Sequence, residues 1–174
     1  TLRRFNRQFA EVFPEPEALV SHVPRLVGTD GRSKMSKSLD NAIYLKDPPS
    51  AVREKVRSMF TDPARLRATD PGRVEGNPVF AYHDAFNSDA DEVADLKDRY
   101  RRGAVGDVEV KEKLERALNA FLGPIRDRRA RFEGKMRLVR DALEQGTSRA
   151  RQVAHETMLL TRDALELGYL GRFT

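Results

Sequence analysis

The chain has 174 residues, with 32 lysines and arginines against 27 aspartates and glutamates, a net charge of +5 and no cysteine. The lack of cysteine excludes disulfides, thiolate metal sites and a cysteine nucleophile, and the three histidines have no recognisable metal-ligand spacing, so we expect no metal site. No apolar run approaches the roughly 20 residues that cross a bilayer. No signal peptide opens the sequence, and we therefore expect a cytoplasmic protein without a membrane partner.

The first quarter of the chain predicts few regular elements. Apolar side chains at helical spacing predict an amphipathic helix over residues 3–13 that stops at Pro14. A short apolar run that ends at a glycine predicts a buried strand over residues 23–27. Residues 28–41 then predict a loop, and residues 43–45 a brief extended piece.

Beyond this region nearly all residues favour helix. Ser50 is a candidate N-cap for the first of these helices. Residues 61–78, rich in proline and glycine, predict a linker. A helix follows over residues 89–101, and another begins near Asp107, which Pro124 should kink or interrupt.

The last predicted helix is capped by Thr147 or Ser148 and ends at Gly168. A lone buried strand cannot form a sheet. The sequence therefore predicts a mainly α chain, in which residues 1–49 are the end of an α/β domain and residues 50–174 are an all-helical domain.

Residues 34–38 carry two lysines three positions apart in a loop rich in glycine and serine. Lysine is a point charge on a flexible stem and can follow phosphate oxygens, while serine adds a hydroxyl donor. Lys34 follows Ser33 and precedes Met35, so the P-loop pattern is absent. The residues alone leave two interpretations open, a lid that closes over a polyphosphate and a solvated basic turn.

These five residues, Lys-Met-Ser-Lys-Ser, reproduce the KMSKS signature of class I aminoacyl-tRNA synthetases, and residues 28–45 resemble the tryptophanyl-tRNA synthetases most. A second block supports the resemblance: residues 106–111 read Gly-Asp-Val-Glu-Val-Lys, and residues 121–129 read Phe-Leu-Gly-Pro-Ile-Arg-Asp-Arg-Arg. This block is similar to the helical C-terminal domain of that family. The first motif specifies only the class, whereas the two together favour the tryptophan family over the related tyrosine family.

The resemblance implies a C-terminal portion of such an enzyme. Residues 1–49 would be the end of a Rossmann-like nucleotide-binding domain, and residues 50–174 a helical domain that binds the tRNA anticodon. The implied activity is the activation of tryptophan by ATP, with Mg²⁺, to tryptophanyl-AMP and its transfer to tRNA(Trp), in a homodimer. The His-x-Gly-His signature and the tryptophan pocket of the family are not in this sequence, so we expect the chain alone to be inactive.

The resemblance assigns catalytic roles to the two lysines. Lys37 would bind the developing pyrophosphate, and Lys34 would assist from the loop entrance. Ser36 and Ser38 would donate hydrogen bonds to phosphate oxygens or order the loop. Met35 would anchor the loop in an apolar niche beside the ATP site.

Three further positions take their roles from the resemblance. Val27, with Leu26 before it, stands where relatives contact adenine through the main chain, although core packing is an alternative explanation for both. Asp40 departs from the glycine or asparagine that many relatives have there, and an added acid near the phosphates is expected to weaken loop closure.

Basic residues are concentrated in residues 123–151, which hold nine lysines and arginines and four acids. A localised excess of this kind suits a polyanion partner, although a solvated helix face is an alternative. With the resemblance, Arg126, Arg128 and Arg129 become candidates for tRNA contact. Pairing with acids of the same helix is the other explanation.

Two rival functions remain open. One is a non-catalytic helical RNA-binding or protein-docking module derived from a synthetase, and the other is the related tyrosine–tRNA ligase. The intact signature argues against the first, because an inactive relative need not keep both lysines. Residues 121–129 argue against the second.

Overall fold

A computed structural model describes residues 1–21, 23, 25–31, 34–63 and 65–168. Within these ranges the regular structure consists of six α-helices: α1 (Leu2–Gln8), α2 (Pro49–Arg57), α3 (Pro78–Phe86), α4 (Ala90–Arg101), α5 (Asp107–Ala130) and α6 (Met136–Ala164). The predicted mainly α class is confirmed.

The helices belong to two compact units. One unit comprises Thr1–Leu19 and Phe132–Thr174 and contains α1 and α6, whereas the other comprises Val20–Arg131 and contains α2 to α5. The predicted domain boundary between residues 49 and 50 separates functional domains, whereas these units are defined by compactness. The domain boundary therefore stays a prediction.

The apolar core lies in the unit of α2 to α5. Helix α5 packs against α2 and α3, and α3 packs against α4. Along α5, Val110, Leu114, Leu118 and Leu122 recur every fourth residue, and each is at most 2% exposed. Each such side chain stabilises the fold by about 1.5–3 kcal/mol through burial. The stripe makes α5 the central helix of this unit.

The predicted linker between α2 and α3 is ordered by one buried arginine. The Arg65 side chain is 1% exposed and lies over the Tyr100 ring at 4.1 Å. Its hydrogen-bond acceptors are the carbonyl oxygens of Ala68, Asp70 and Val105 and a carboxylate oxygen of Asp107, at 2.7–3.1 Å. The segment is therefore fixed to the core by a charged group whose donors are used inside the fold.

A proline opens two helices whose starts the sequence analysis did not give. Helix α2 begins at Pro49, so Ser50 lies inside the first turn and is not the N-cap. Helix α3 was not predicted separately, although the Asn77 side chain caps it by accepting from the Val79 N–H at 3.0 Å, and Pro78 opens it. The fixed φ of proline suits the first helical position.

Helices α4 and α5 confirm the prediction at their starts. The Asp89 carboxylate accepts from the Glu92 N–H at 2.9 Å and caps α4. Helix α5 begins at Asp107, with acidic side chains in its first turn that favour the positive end of the helix dipole.

Pro124 does not interrupt α5, which continues to Ala130. A proline inside a helix leaves the carbonyl four residues earlier without its usual donor. For Pro124 that carbonyl belongs to Ala120. The neighbouring Asn119 accepts from Arg126 through its carbonyl and its side-chain oxygen, at 3.2 and 3.0 Å.

The predicted strand at residues 23–27 is wrong for the residues that the structure describes. Val27 forms only an isolated antiparallel bridge with Lys34, and no described segment pairs with it as a strand. The predicted extended piece at residues 43–45 overlaps a turn, in which the Asp47 N–H donates to the Tyr44 carbonyl at 3.0 Å.

Helix α1 is shorter than predicted and ends at Gln8. The Asn6 side chain binds the returning chain instead, accepting from the N–H groups of Val12 and Phe13 and donating to the Phe13 carbonyl at 2.7 Å. The Phe5 ring contacts the rings of Phe9 and Phe13 at 5.0 and 5.1 Å. The apolar spacing thus reflects a tight reversal rather than a longer helix.

Helix α6 begins at Met136 and runs through Thr147 and Ser148, so neither caps a helix. It ends at Ala164 rather than at Gly168. Glu166 takes a left-handed conformation with φ of +58°, and the Leu167 N–H donates to the Arg162 carbonyl at 2.8 Å. This is the pattern that commonly closes a helix, here without the glycine.

Among the described residues no helix is long and apolar enough to cross a membrane.

Candidate functional site

One buried side chain ties together the two arms of the loop at residues 28–41. Asn41 is 3% exposed, and its Oδ1 accepts from the Ser36 N–H at 2.7 Å. Its Nδ2 donates to Asp30 Oδ1 at 3.2 Å, and its carbonyl accepts from the Thr29 N–H at 2.9 Å. The loop carrying the two lysines is therefore braced from inside.

Gly28 is required by this brace. A Cβ at Gly28 would lie 2.2 Å from Asn41 Nδ2 and 2.7 Å from Asp30 Oδ1, closer than real atoms approach. The Gly31 N–H donates to the Gly28 carbonyl at 2.9 Å, and Gly31 has φ of +70°. The glycines therefore give the first arm its tight turn.

The signature residues divide into anchored and exposed groups. Met35 is half-buried and packs against the core, whereas its role as the anchor of the loop stays a prediction. The Ser36 and Ser38 hydroxyl oxygens lie 2.9 Å apart and share a hydrogen bond. Lys34 and Lys37 are exposed. The backbone thus holds the loop while both ammonium groups remain in solvent.

Asp40 lies at the turn that follows the signature. Its N–H donates to the Lys37 carbonyl at 3.3 Å, and its φ of +49° is left-handed. Glycine and asparagine adopt this conformation at the lowest cost, and aspartate is also tolerated there. The backbone explains which residue types suit the position, whereas the expected effect of the acid on loop closure stays a prediction.

The carbonyl of Val27 is held by a tyrosine. The Tyr82 hydroxyl donates to it at 2.8 Å, and burial raises the pKa of Tyr82 to about 12, so the phenol keeps its proton at neutral pH. Leu26 is partly buried against the core, as the packing alternative expects. A contact between the Val27 main chain and adenine stays a prediction.

An open cleft of about 710 Å³ lies between residues 37–46 and the last turns of α5. It is lined by Lys37, Tyr44, Leu45, Lys46, Ile125 and Arg129. The structure therefore brings Lys37 and Arg129 to one surface, although they are 92 residues apart in sequence. Lys34 is not part of this lining.

Arg126 fixes the two walls of this cleft. Its guanidinium donates to the Asp47 carbonyl at 2.8 Å in addition to its bonds with Asn119. The Asp47 carboxylate is paired with Lys55 at 2.6 Å, and Lys55 also donates to the Ala42 carbonyl at 2.9 Å. Arg126 was predicted to contact tRNA, but these bonds support a structural role.

The second motif block is structural in this fold. Asp107 pairs with Arg65 and accepts from the Tyr100 hydroxyl at 2.9 Å. Lys111 donates to the carbonyls of Arg57 and Met59, at 3.0 and 2.7 Å, and so caps the C-terminus of α2. Burial lowers the pKa of Lys111. The block attaches α5 to the α2 end and to the Arg65 segment.

Sequence reasoning missed two residues of the site. Asn41 was noted only as a neighbour of the signature, and Lys46 was not considered. Their local signals are weak, because an asparagine after a turn and a lysine in a loop are common. Among the described residues no group of three histidine, cysteine, aspartate or glutamate side chains could hold a metal ion.

Comparisons with known proteins agree with the motifs. The family model for class I tRNA synthetases (W and Y) matches residues 1–123. The tryptophan–tRNA ligase of Treponema pallidum (strain Nichols) is 59% identical over 165 residues, covering 95% of this chain and 49% of that protein. The corresponding ligase of Borreliella burgdorferi is 50% identical over 167 residues, covering 95% of this chain and 48% of its own length.

A solved structure supports the same relationship. The tryptophanyl-tRNA synthetase of Campylobacter jejuni, complexed with ADP and tryptophan, matches with a TM-score of 0.69 and 28% identity. The match covers 95% of this chain and 51% of that one. The chain thus spans about half the length of the relatives it matches.

Proposed function

Because this chain belongs to the class I tRNA synthetases of the tryptophan and tyrosine type, we propose that it supplies the phosphate-closing loop and the helical domain of a tryptophan–tRNA ligase. One observation carries the proposal: the braced loop presents Lys37 to solvent beside a basic cleft. The 59% identity to a tryptophan–tRNA ligase supports the choice of amino acid.

The proposed reaction activates tryptophan with ATP. The tryptophan carboxylate attacks the α-phosphorus, a P–O bond to the leaving group breaks, and pyrophosphate departs. Charge develops on the leaving phosphates, so cations placed there in advance lower the barrier. Lys37 would bind this charge and Lys34 would assist, with Ser36 and Ser38 as further donors.

ATP enters as the magnesium complex, with the ion as part of the substrate. Neither the tryptophan pocket nor the His-x-Gly-His signature is in this sequence. Catalysis would therefore need the nucleotide-binding residues that relatives carry in their other half. The loop cannot act without them, because its lysines stabilise charge on a nucleotide that other residues must hold.

We also propose tRNA(Trp) as the acceptor of the activated amino acid. Arg128 and Arg129 are exposed near the end of α5 and remain candidates for phosphate contact. The homodimer and the cytoplasmic location belong to the same proposal and rest on the family resemblance.

The rival module without catalysis would bind RNA or protein through the helices alone. The internal brace of the loop argues against it, because a binding module has no need to hold two signature lysines in one fixed turn. The tyrosine-specific alternative differs in the amino acid that supports ATP–pyrophosphate exchange, which would be tyrosine rather than tryptophan.

The proposal is tested with a chimera in which this chain replaces the matching half of the Treponema pallidum enzyme. Lys37→Ala should lower the rate of tryptophan-dependent ATP–pyrophosphate exchange by about 10²–10³, the usual loss for one preorganised donor. Tryptophan affinity should change little. Lys97→Ala serves as the control, since Lys97 pairs with Asp84 away from the loop. Equal losses in tryptophan affinity and rate would contradict the role of Lys37.

A further inference from the structure

Tyr82 is a buried side chain of α3 whose hydroxyl reaches the residue just before the loop at residues 28–41. Tyr82 is 1% exposed, and the hydroxyl donates to the Val27 carbonyl at 2.8 Å, across 55 positions of sequence. Burial, with the Asp30 carboxylate as a smaller cause, raises the pKa of Tyr82 to about 12. The phenol therefore offers its proton to Val27 throughout the physiological pH range.

Val27 leads into the first arm of the loop, residues 28–31, and no described strand supports it. It forms an isolated antiparallel bridge with Lys34. In a sheet, a ladder of backbone hydrogen bonds would fix the main chain at such a point. Here a single side-chain hydrogen bond from α3 supports the Val27 carbonyl.

Helix α3 supports the first arm as well. Pro78 lies one helical turn before Tyr82, so the two share a face of α3. A Cβ added at Gly31 would lie 3.0 Å from Pro78 Cγ, which places the arm close against that face. The Phe60 N–H also donates to the Thr29 carbonyl, at 3.1 Å. The first arm is therefore seated on α3 and on the residues that follow α2.

A shift of the first arm would reach the part of the loop that carries the signature. The Thr29 N–H donates to the Asn41 carbonyl at 2.9 Å, and the Asn41 side chain accepts from the Ser36 N–H at 2.7 Å. Both arms thus share one buried residue. A donor that fixes the start of the first arm also fixes the position from which the loop meets a nucleotide.

We propose that Tyr82 is a positioning residue for ATP, acting through the Val27 carbonyl. The inference rests on the proposed function, because the loop that Tyr82 positions is the one assigned to the phosphates there. Without the hydroxyl, the first arm would occupy the binding-competent position for a smaller fraction of the time. The apparent affinity for ATP falls by the same fraction. Tryptophan binding would not change, because its pocket lies outside these residues.

The test compares Tyr82→Phe with Tyr100→Phe in the chimera with the Treponema pallidum half. Tyr82→Phe removes only the hydroxyl and keeps the ring, which contacts the Phe86 ring at 5.9 Å. Tyr100→Phe is the matched control, because Tyr100 is also fully buried in this unit and its hydroxyl donates to Asp107 at 2.9 Å rather than to the loop. Circular dichroism checks that both variants keep the fold.

Tyr82→Phe should raise the KM for ATP in tryptophan-dependent exchange by at least about twofold and up to about fivefold, the usual effect of one neutral hydrogen bond. The KM for tryptophan and the rate at saturating ATP should stay within about twofold. Tyr100→Phe should leave all three unchanged. A smaller rise in the KM for ATP, an equal rise in Tyr100→Phe or an equal rise in the KM for tryptophan would overturn the proposal.

Amide hydrogen exchange in the 174-residue chain separates this inference from the proposed function. Exchange of the Thr29 amide should be at least about twofold faster in Tyr82→Phe and unchanged in Tyr100→Phe, because only the first variant loosens the arm. An unchanged Thr29 rate in Tyr82→Phe would overturn the inference whatever the chimera does. A parent chimera without tryptophan-dependent exchange would instead contradict the proposed function.

Discussion

The loop brace makes Asn41→Ala the most informative substitution. The change removes the acceptor of the Ser36 N–H at 2.7 Å and the donor to Asp30 at 3.2 Å, both at a 3% exposed position. The carbonyl of residue 41 still accepts from Thr29, so the first arm keeps its backbone bond. A further bond to the Lys34 carbonyl is long, at 3.5 Å, and adds little. The two shorter bonds at about 1 kcal/mol each predict that opening of the loop becomes easier by about 2 kcal/mol, or about 30-fold.

Amide hydrogen exchange at Ser36 measures this opening directly in the 174-residue chain. Exchange of the Ser36 amide should be about 30-fold faster in Asn41→Ala. Asn87→Ala is the matched control, because the Asn87 side chain makes such bonds outside the loop. It accepts from the Asp89 N–H and donates to Glu92, both at 3.0 Å, and it lies 3.3 Å from His83 Nδ1. The substitution should lower overall stability without changing Ser36. An unchanged Ser36 rate in Asn41→Ala would refute the brace.

Two further predictions concern the unit that carries the loop. Arg65→Gln should lower the free energy of unfolding by about 3 kcal/mol, because it leaves buried carbonyls and Asp107 without their donor. Urea titration measures this loss, and a loss under about 1 kcal/mol would contradict the role of Arg65. Hydrogen bonds from Lys113, Asn87 and Arg116 lower the pKa of Glu92 from its usual 4.5 to about 2. The resulting stabilisation is complete above about pH 4.5 and is lost as the pH falls towards 2. Glu92→Gln should therefore make the free energy of unfolding less dependent on pH in this range. An unchanged pH dependence would contradict the role of the Glu92 hydrogen bonds.

The helices that the sequence predicted well are those with strong local signals. The starts of α4 and α5 were predicted to within about one residue, and both carry local signals, because Asp89 caps α4 and acidic side chains occupy the first turn of α5. The failures have physical reasons as well. Asn6 reverses the chain through side-chain bonds that a spacing pattern does not encode. Pro124 does not interrupt α5, although proline inside a helix costs one backbone hydrogen bond.

In the candidate site, too, the local sequence predicted some features and missed others. The motif made the two lysines and Met35 candidates from local sequence alone. The cleft depends on the bond between Arg126 and Asp47, which are 79 residues apart, and no local pattern reveals such a contact. Only the fold shows that Lys46 and Arg129 lie in the same cleft as Lys37.

The central claim is most directly tested by amino-acid-dependent ATP–pyrophosphate exchange in the chimera with the Treponema pallidum half. The account predicts exchange that requires tryptophan, remains at background with tyrosine and falls on Lys37→Ala. Because the other half comes from an active enzyme, exchange measures whether this chain supplies a working loop. Absence of exchange in a folded chimera that still binds tryptophan would contradict the account.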